Sequence, residues 1–469
     1  VKNRLTYVST RGAAPVLGFD DVLLAGLARD GGLYVPNAWP GLTPADITAL
    51  RGLDYGQAAA RILMPFVAGD ITESELEALT RDAYASFDHA AVVPLRQIGS
   101  NEWILELFHG PTLAFKDLAL QLVGRMFDHV LNKRGDRITV VGATSGDTGS
   151  AAIEACRDRE NVDIFMLHPA GRVSEVQRRQ MTTVQAANVH NIALEGTFDD
   201  CQALVKALFA DHAFRDRLHL SAVNSINWAR VAIQAVYYFT AAVSLGAPDR
   251  GVAFSVPTGN FGDVFAGYVA AKMGLGVAQL VIATNVNDIL VRALQSGCYA
   301  VAGVTPTMSP SMDIQVSSNF ERLLFDLYDR DGRVISDLMN DLARTGVFEI
   351  DQTRIASDLG LFRAASASEN ETLETMASVY QSTGELIDPH TAVGIAAGRR
   401  ERPEKAIPMV YLATAHPAKF PDAVERATGI RPALPPRLGD LLDRPERCDR
   451  LANEFGTVKQ YIESKSRAA

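Results

Sequence analysis

Between residues 138 and 283 short apolar runs alternate with amphipathic stretches, and this alternation constrains the fold more than any other feature of the chain. Apolar runs at 138–141, 162–167, 189–194, 218–222, 252–256 and 280–283 predict strands. The segments at 150–157, 174–187, 200–211, 228–245 and 261–273 carry apolar residues at helical spacing. Strands joined through helices become parallel neighbours by right-handed crossovers, so the pattern predicts an α/β fold with parallel sheets. Ligand loops in such sheets sit beyond the carboxyl ends of the strands.

The flanks differ. Residues 1 to about 95 read as a small α-rich lead domain, with helices at 19–27, 43–51, 55–66 and 72–84, and Gly31-Gly32 turning the chain into a short extended piece at 33–36. Two short extended runs flank Gly99, and a helix follows at 117–133. Helices at 319–328, 336–344, 354–359 and 369–381 contain no residue that demands a chemical role. A last strand is expected at 407–412. From Arg431 onward, prolines precede a charged stretch at 450–463, which predicts a helical tail, 431–469, lying against the outside.

With 469 residues, of which 47% are hydrophobic, the chain can fill two or three domains, each with its own core. A formal charge of −10 argues against nucleic acid or an anionic membrane as the main partner, so an anionic substrate needs local basic groups. The most apolar helical stretch, 231–247, is broken by Gln234 and falls short of the roughly 20 residues of a spanning helix, so it reads as a buried core helix. Val1, Lys2, Asn3 and Arg4 begin no apolar run, from which no secretory signal or anchor is expected. Cys156, Cys201, Cys298 and Cys448 lie far apart without metal-ligand spacing, which predicts a reduced, cytoplasmic protein without a structural metal.

Four stretches carry chemistry. In FHGPTLAFKD, 108–117, Lys116 follows an apolar run; a lysine attacks an aldehyde only when neutral, and desolvation favours that form. For a lysine taken alone, a solvated head or a pair with Asp117 is the commoner arrangement. ATSGDTGS, 143–150, is a glycine-broken polar loop at a helix mouth. PTGNFGD, 257–263, joins a strand to a helix, where free N–H groups and the helix dipole favour an anion, although many such turns hold none. LATAHPAKF, 412–420, places Thr414 where a strand stops. Each loop follows a strand, an agreement between levels that a chance motif lacks.

Together with YVSTRG at 7–12, GLYVP at 32–36, NSINWAR at 224–230 and DPHTAVG at 388–394, these motifs stand in one order over most of the chain. On them the chain resembles the threonine synthase family, of the longer bacterial and fungal type, within the fold-type II pyridoxal phosphate enzymes related to the tryptophan synthase β chain. The resemblance implies two parallel α/β lobes in a catalytic region at 96–430, the smaller lobe spanning roughly 136–225 and the larger formed by the segments on either side. It suggests that the turn at 9–12, otherwise a helix cap, packs near the active site.

It further implies that Lys116 bonds the cofactor aldehyde and then shuttles protons, and that Gly259, Asn260, Phe261, Gly262 and Asp263 hold the cofactor phosphate, with the Phe261 ring left to pack. Thr414 would face the pyridine nitrogen, with capping of the following helix as its rival role. Thr144, Ser145, Gly146, Asp147 and Thr148 match the loop that grips the amino acid end of the substrate, while N-capping by Asp147 or Thr148 competes. Ser225, Asn227 and Arg230 would meet a substrate phosphate, against the ordinary alternative of a surface ion pair for the arginine. His109, His390 and His416 are read as structural hydrogen-bonding residues.

The implied reaction converts O-phospho-L-homoserine and water to L-threonine and phosphate, using pyridoxal 5'-phosphate and no metal. A β-eliminating relative such as threonine dehydratase, or a non-catalytic binder of a phosphorylated ligand, remains the alternative. Monomer and homodimer are both open.

Overall fold

The computed structural model describes residues 4–468; Val1, Lys2 and Asn3, on which the reading of the leader rests, lie outside the described residues. The apolar runs become strands of two sheets. One has five strands in the order Asp449–Leu451, Val189–Leu194, Val162–Pro169, Ile138–Ala143 and Leu220–Ser221, all parallel. The other has six, in the order Phe362–Ser366, Val277–Thr284, Val252–Pro257, Met409–Ala413, Glu102–Glu106 and Leu95–Gly99, parallel except for the final pair. The α/β architecture with two parallel-type sheets agrees with the alternation read in the sequence.

Differences have local causes. The expected strand at 218–222 shrinks to Leu220–Ser221 because Leu218 closes the helix His212–Arg217 and His219 takes a left-handed φ of 47°. The helix expected at 174–187 stops at Thr182, where the threonine run lowers helix propensity and Thr182 and Thr183 hydroxyls donate back to the carbonyls of Arg178 and Arg179. In the tail, Asp449, Arg450 and Leu451 form a strand opposite Ile192, Ala193 and Leu194, and the helix begins only at Phe455. Val458 and Ile462 of that helix are buried with Phe165, Ile192, Leu204 and Leu208. The tail is therefore part of the smaller sheet and its core.

The lead segment forms its helices through local caps. Thr43, Asp54 and Thr72 each make a reciprocal capping box, with Asp46, Gln57 and Glu75, worth about 1 kcal/mol apiece. Its buried residues join a larger core: Tyr7, Phe19, Ile62 and Phe66 belong to the same buried cluster as Leu122 of the lysine helix and Phe254 of the larger sheet. The centre of that cluster is the helix Trp228–Ser244, whose buried Trp228 meets Tyr7, Trp39 and Phe66. No described helix is long and apolar enough to cross a membrane.

Candidate active site

The exits of three strands converge on Lys116. The lysine is the first residue of the helix Lys116–Arg134, and the segment before it is bound to the end of the strand Met409–Ala413: Phe115 N–H donates to the Thr414 carbonyl at 2.8 Å and His416 N–H to the Leu113 carbonyl at 3.0 Å. Leu113 takes a left-handed φ of 62° to make this approach. The pairing with Asp117 is not made. Asp117 instead accepts from the Thr112 N–H and hydroxyl, both at 2.7 Å, and burial pushes its carboxyl up to about 6.

Lys116 is 9% exposed, and its Nζ lies 3.4 Å from Asp147 Oδ2. Burial lowers its pKa, Asp147 opposes this, and Lys419 and Arg230 reinforce it. The amine is held away from water, as attack on an aldehyde requires.

Asp147 opens the helix Asp147–Cys156 but does not cap it, nor does Thr148. That work falls to Thr144, whose Oγ1 accepts from the N–H groups of Gly146 at 3.0 Å and Gly149 at 2.8 Å. Asp147 is thus released to bind Lys419 Nζ at 2.6 Å and Gln177 Nε2 at 2.8 Å, with Ser311 Oγ at 3.4 Å. Burial would raise its pKa, but Lys419 and then Lys116 outweigh burial and hold it well below the usual carboxylate range. Ser145 is exposed at the rim of this loop and Thr148 half-buried.

Ser311 links this cluster to the glycine turn. A Cβ added to Gly259 would lie 2.7 Å from the Ser311 carbonyl, so only glycine fits there without a shift. The turn is braced by Ser317, which donates to the Gly259 carbonyl at 2.6 Å, and by Asn319, whose side chain donates to the Asn260 carbonyl at 3.0 Å. Phe261 takes a φ of 63°, and its ring packs on Phe320 and Phe362, as expected of a residue that contributes backbone to the turn. Gly262 begins the helix Gly262–Lys272 and borders Ser225, whose Cβ would be 3.9 Å from an added Cβ. The YVSTRG motif meets the same region, since Thr10 and Arg11 bind Glu321, two residues past Asn319.

Several expected ligands are engaged elsewhere. The Asp263 carboxylate faces the hydroxyls of Tyr237 and Tyr238, and burial raises its pKa to about 7. Asn227 caps the helix at Ala229 N–H, at 3.0 Å, and donates to the Leu23 carbonyl at 2.9 Å, so its amide ties two segments together. Among the described residues Arg230 makes no surface ion pair: it is buried, donates to the Val223 carbonyl at 3.2 Å, and leaves Nε without a partner. Burial lowers its pKa to about 10. The turn after Thr414 is capped by His416, whose Nδ1 accepts from Ala418 N–H, which removes the capping role from Thr414. His390 holds Ser311 N–H at 3.2 Å and pairs with Asp388 at 2.6 Å. Lys419 was not anticipated; its only sequence signal is its place at the end of the TAHPAK run.

A sheltered amine and a helix-start turn that excludes a Cβ, joined through Asp147 and Ser311, suit a cofactor with an aldehyde at one end and a phosphate at the other. Fold and site together define a pyridoxal-phosphate-dependent enzyme of fold type II. Family models described as threonine synthase N terminus, pyridoxal-phosphate dependent enzyme, and threonine synthase C-terminal match residues 6–84, 91–412 and 391–462. The chain belongs to the threonine synthase family. It is 57% identical to a threonine synthase of Pseudomonas aeruginosa over 98% of both chains. A crystal structure of PLP-bound threonine synthase from Brucella melitensis superposes with a TM-score of 0.96 at 56% identity, covering 99% of this chain and 100% of that one. The threonine synthase of Escherichia coli gives 0.83 at 31% identity, covering 98% and 99%.

Proposed function

We propose that the protein converts O-phospho-L-homoserine and water to L-threonine and phosphate in the cytoplasm, as a monomer or homodimer, with Lys116 as its reacting lysine. The observation that carries this reading is the dry Lys116 amine, joined through Asp147 and Ser311 to the Gly259 turn. Free cysteines suit a reducing compartment.

Pyridoxal phosphate, when bound, supplies an electron sink that acidifies the α- and then the β-carbon of the amino acid. In this reading the N–H groups of Gly259, Asn260, Phe261, Gly262 and Asp263 hold its phosphate, and Thr414 offers its ring nitrogen a hydroxyl, which cannot enforce protonation as a carboxylate would. Lys116, displaced by the substrate amine, takes and returns protons at Nζ. The loop of Thr144, Ser145, Gly146, Asp147 and Thr148 receives the substrate carboxylate at a helix start. Arg230, whose Nε is unpartnered among the described residues, receives the substrate phosphate with Ser225. Asn227 holds the backbone that carries both.

Borohydride reduction of the holoenzyme followed by peptide mapping tests the assignment. A single label at Lys116, together with phosphate release from O-phospho-L-homoserine, is expected. A label elsewhere, or turnover of threonine or serine without phosphate release, overturns it.

A further inference from the structure

The two lysines share Asp147 unequally. Lys419 has a fully buried side chain and lies 2.6 Å from Asp147 Oδ1, whereas Lys116 is 3.4 Å from Oδ2. Lys419 also donates to the Thr112 carbonyl at 2.9 Å, and Gln177 holds the same Asp147 oxygen at 2.8 Å, so the short pair is fixed from both sides. Asp147, Lys419 and Arg230 are the charged groups that act most strongly on Lys116, so three cations including Lys116 itself act around the Asp147 carboxylate. Asp117, which Lys419 also reaches, is turned to Thr112.

We propose that Lys419 is a positioning residue that takes the short ion pair with Asp147, so that Lys116 keeps only the longer contact to that carboxylate and remains an uncharged amine ready to bond the cofactor. The proposal rests on the reading of Lys116 given above. A protonated Lys116 would add an uncompensated charge to a buried space that already holds Arg230, and a charge in that setting is expelled as a proton. Lys419 performs no chemistry itself. It fixes the helix-start loop while claiming its carboxylate.

The account predicts shifts of opposite sign. In Lys419→Met, Asp147 passes wholly to Lys116 and stabilises its ammonium form. In Asp147→Asn the charge of that carboxylate is gone and the ammonium form weakens further. The test is the initial rate at which the full chain, stripped of cofactor, captures added pyridoxal phosphate across the pH range, read by absorbance. The amine and the aldehyde carbon join with loss of water, and only the neutral amine reacts. Lys419→Met should move the profile up by about one pH unit, slowing capture about tenfold on its acid limb. Asp147→Asn should move it down, and Lys419→Arg, which keeps the charge, should leave it in place. Profiles that coincide, or that shift in the same direction in Lys419→Met and Asp147→Asn, overturn the proposal. Should Lys419→Met not fold by circular dichroism, Lys419→Gln, which keeps a donor for the Thr112 carbonyl without the charge, decides: an upward shift supports the proposal, and a downward shift or none overturns it. A wild-type label at a lysine other than Lys116 would instead sink the underlying assignment.

Discussion

Phe115 donates its backbone N–H to the carbonyl of Thr414 at 2.8 Å, so the residue before the lysine is fixed to the end of a strand far along the chain. Because this bond is made by main chain on both sides, the Thr414 hydroxyl can be removed without breaking it. Thr414→Val should therefore fold like the parent, with an unchanged melting temperature, yet lose roughly tenfold in turnover, the worth of one hydrogen bond. Steady-state kinetics beside calorimetry separate the two, and a variant that unfolds early would show that the hydroxyl is structural.

Gly259→Ala places a methyl 2.7 Å from the Ser311 carbonyl and 3.0 Å from Ile314 Cδ1. Relief demands a backbone shift, and overpacking of this kind costs about 1–3 kcal/mol. The turn that would yield is the one assigned to the cofactor phosphate. Affinity for pyridoxal phosphate, measured by fluorescence titration, is expected to fall about tenfold or more; an unchanged affinity would place the phosphate elsewhere.

Phe261 sets two effects against each other. Its φ of 63° costs about 1–2 kcal/mol, which glycine would recover. Its ring packs on Phe320 and Phe362, and deleting such a buried ring costs about 3–5 kcal/mol. Packing wins, so Phe261→Gly should be destabilised by about 2 kcal/mol in urea titration, and a more stable variant would refute the estimate of the ring's contribution.

Arg230 is buried without a carboxylate partner among the described residues, an arrangement that contributes little to stability. Arg230→Met should stay within about 1 kcal/mol of the parent in stability while its KM for O-phospho-L-homoserine rises ten- to a hundredfold, as expected for a lost charged hydrogen bond. Equal KM values would remove Arg230 from the phosphate site.

Burial lowers the pKa of His416 to about 4, with His109 adding to the effect. An unfolded histidine titrates near 6.5, so between about 6.5 and about 4 the unfolded chain binds the extra proton. Stability from this group is complete above that window and is lost as pH falls through it, by on the order of 1 kcal/mol per pH unit. His416→Asn, which can still cap Ala418, should flatten that part of the stability curve; parallel curves for the two proteins would contradict the assignment.

The sheet strands were legible because buried parallel strands are near-continuous apolar runs, as at Val162–Pro169, and the loops were legible because they end such runs. Lys116 and the Gly259 turn stand in motifs whose chemistry is local. The side chains whose contacts the sequence does not show are those whose partners are remote in sequence. Asp263 and Asn227 sit inside motifs, but Tyr237, Tyr238 and Leu23 claim their side chains. Lys419 becomes a buried ion-pair partner only once the chain brings it to Asp147. Asp449–Leu451 has no apolar signature, since its strand lies at a sheet edge with two of its three residues exposed.

That edge strand carries a consequence for synthesis. Val189–Leu194 has Asp449–Leu451 as its outer neighbour, so during translation its hydrogen-bonding flank stays open while more than half of the protein is still being made. An exposed parallel flank of that kind is the place where a nascent chain meets chaperones or its own copies, and its closure waits on residues 449–465.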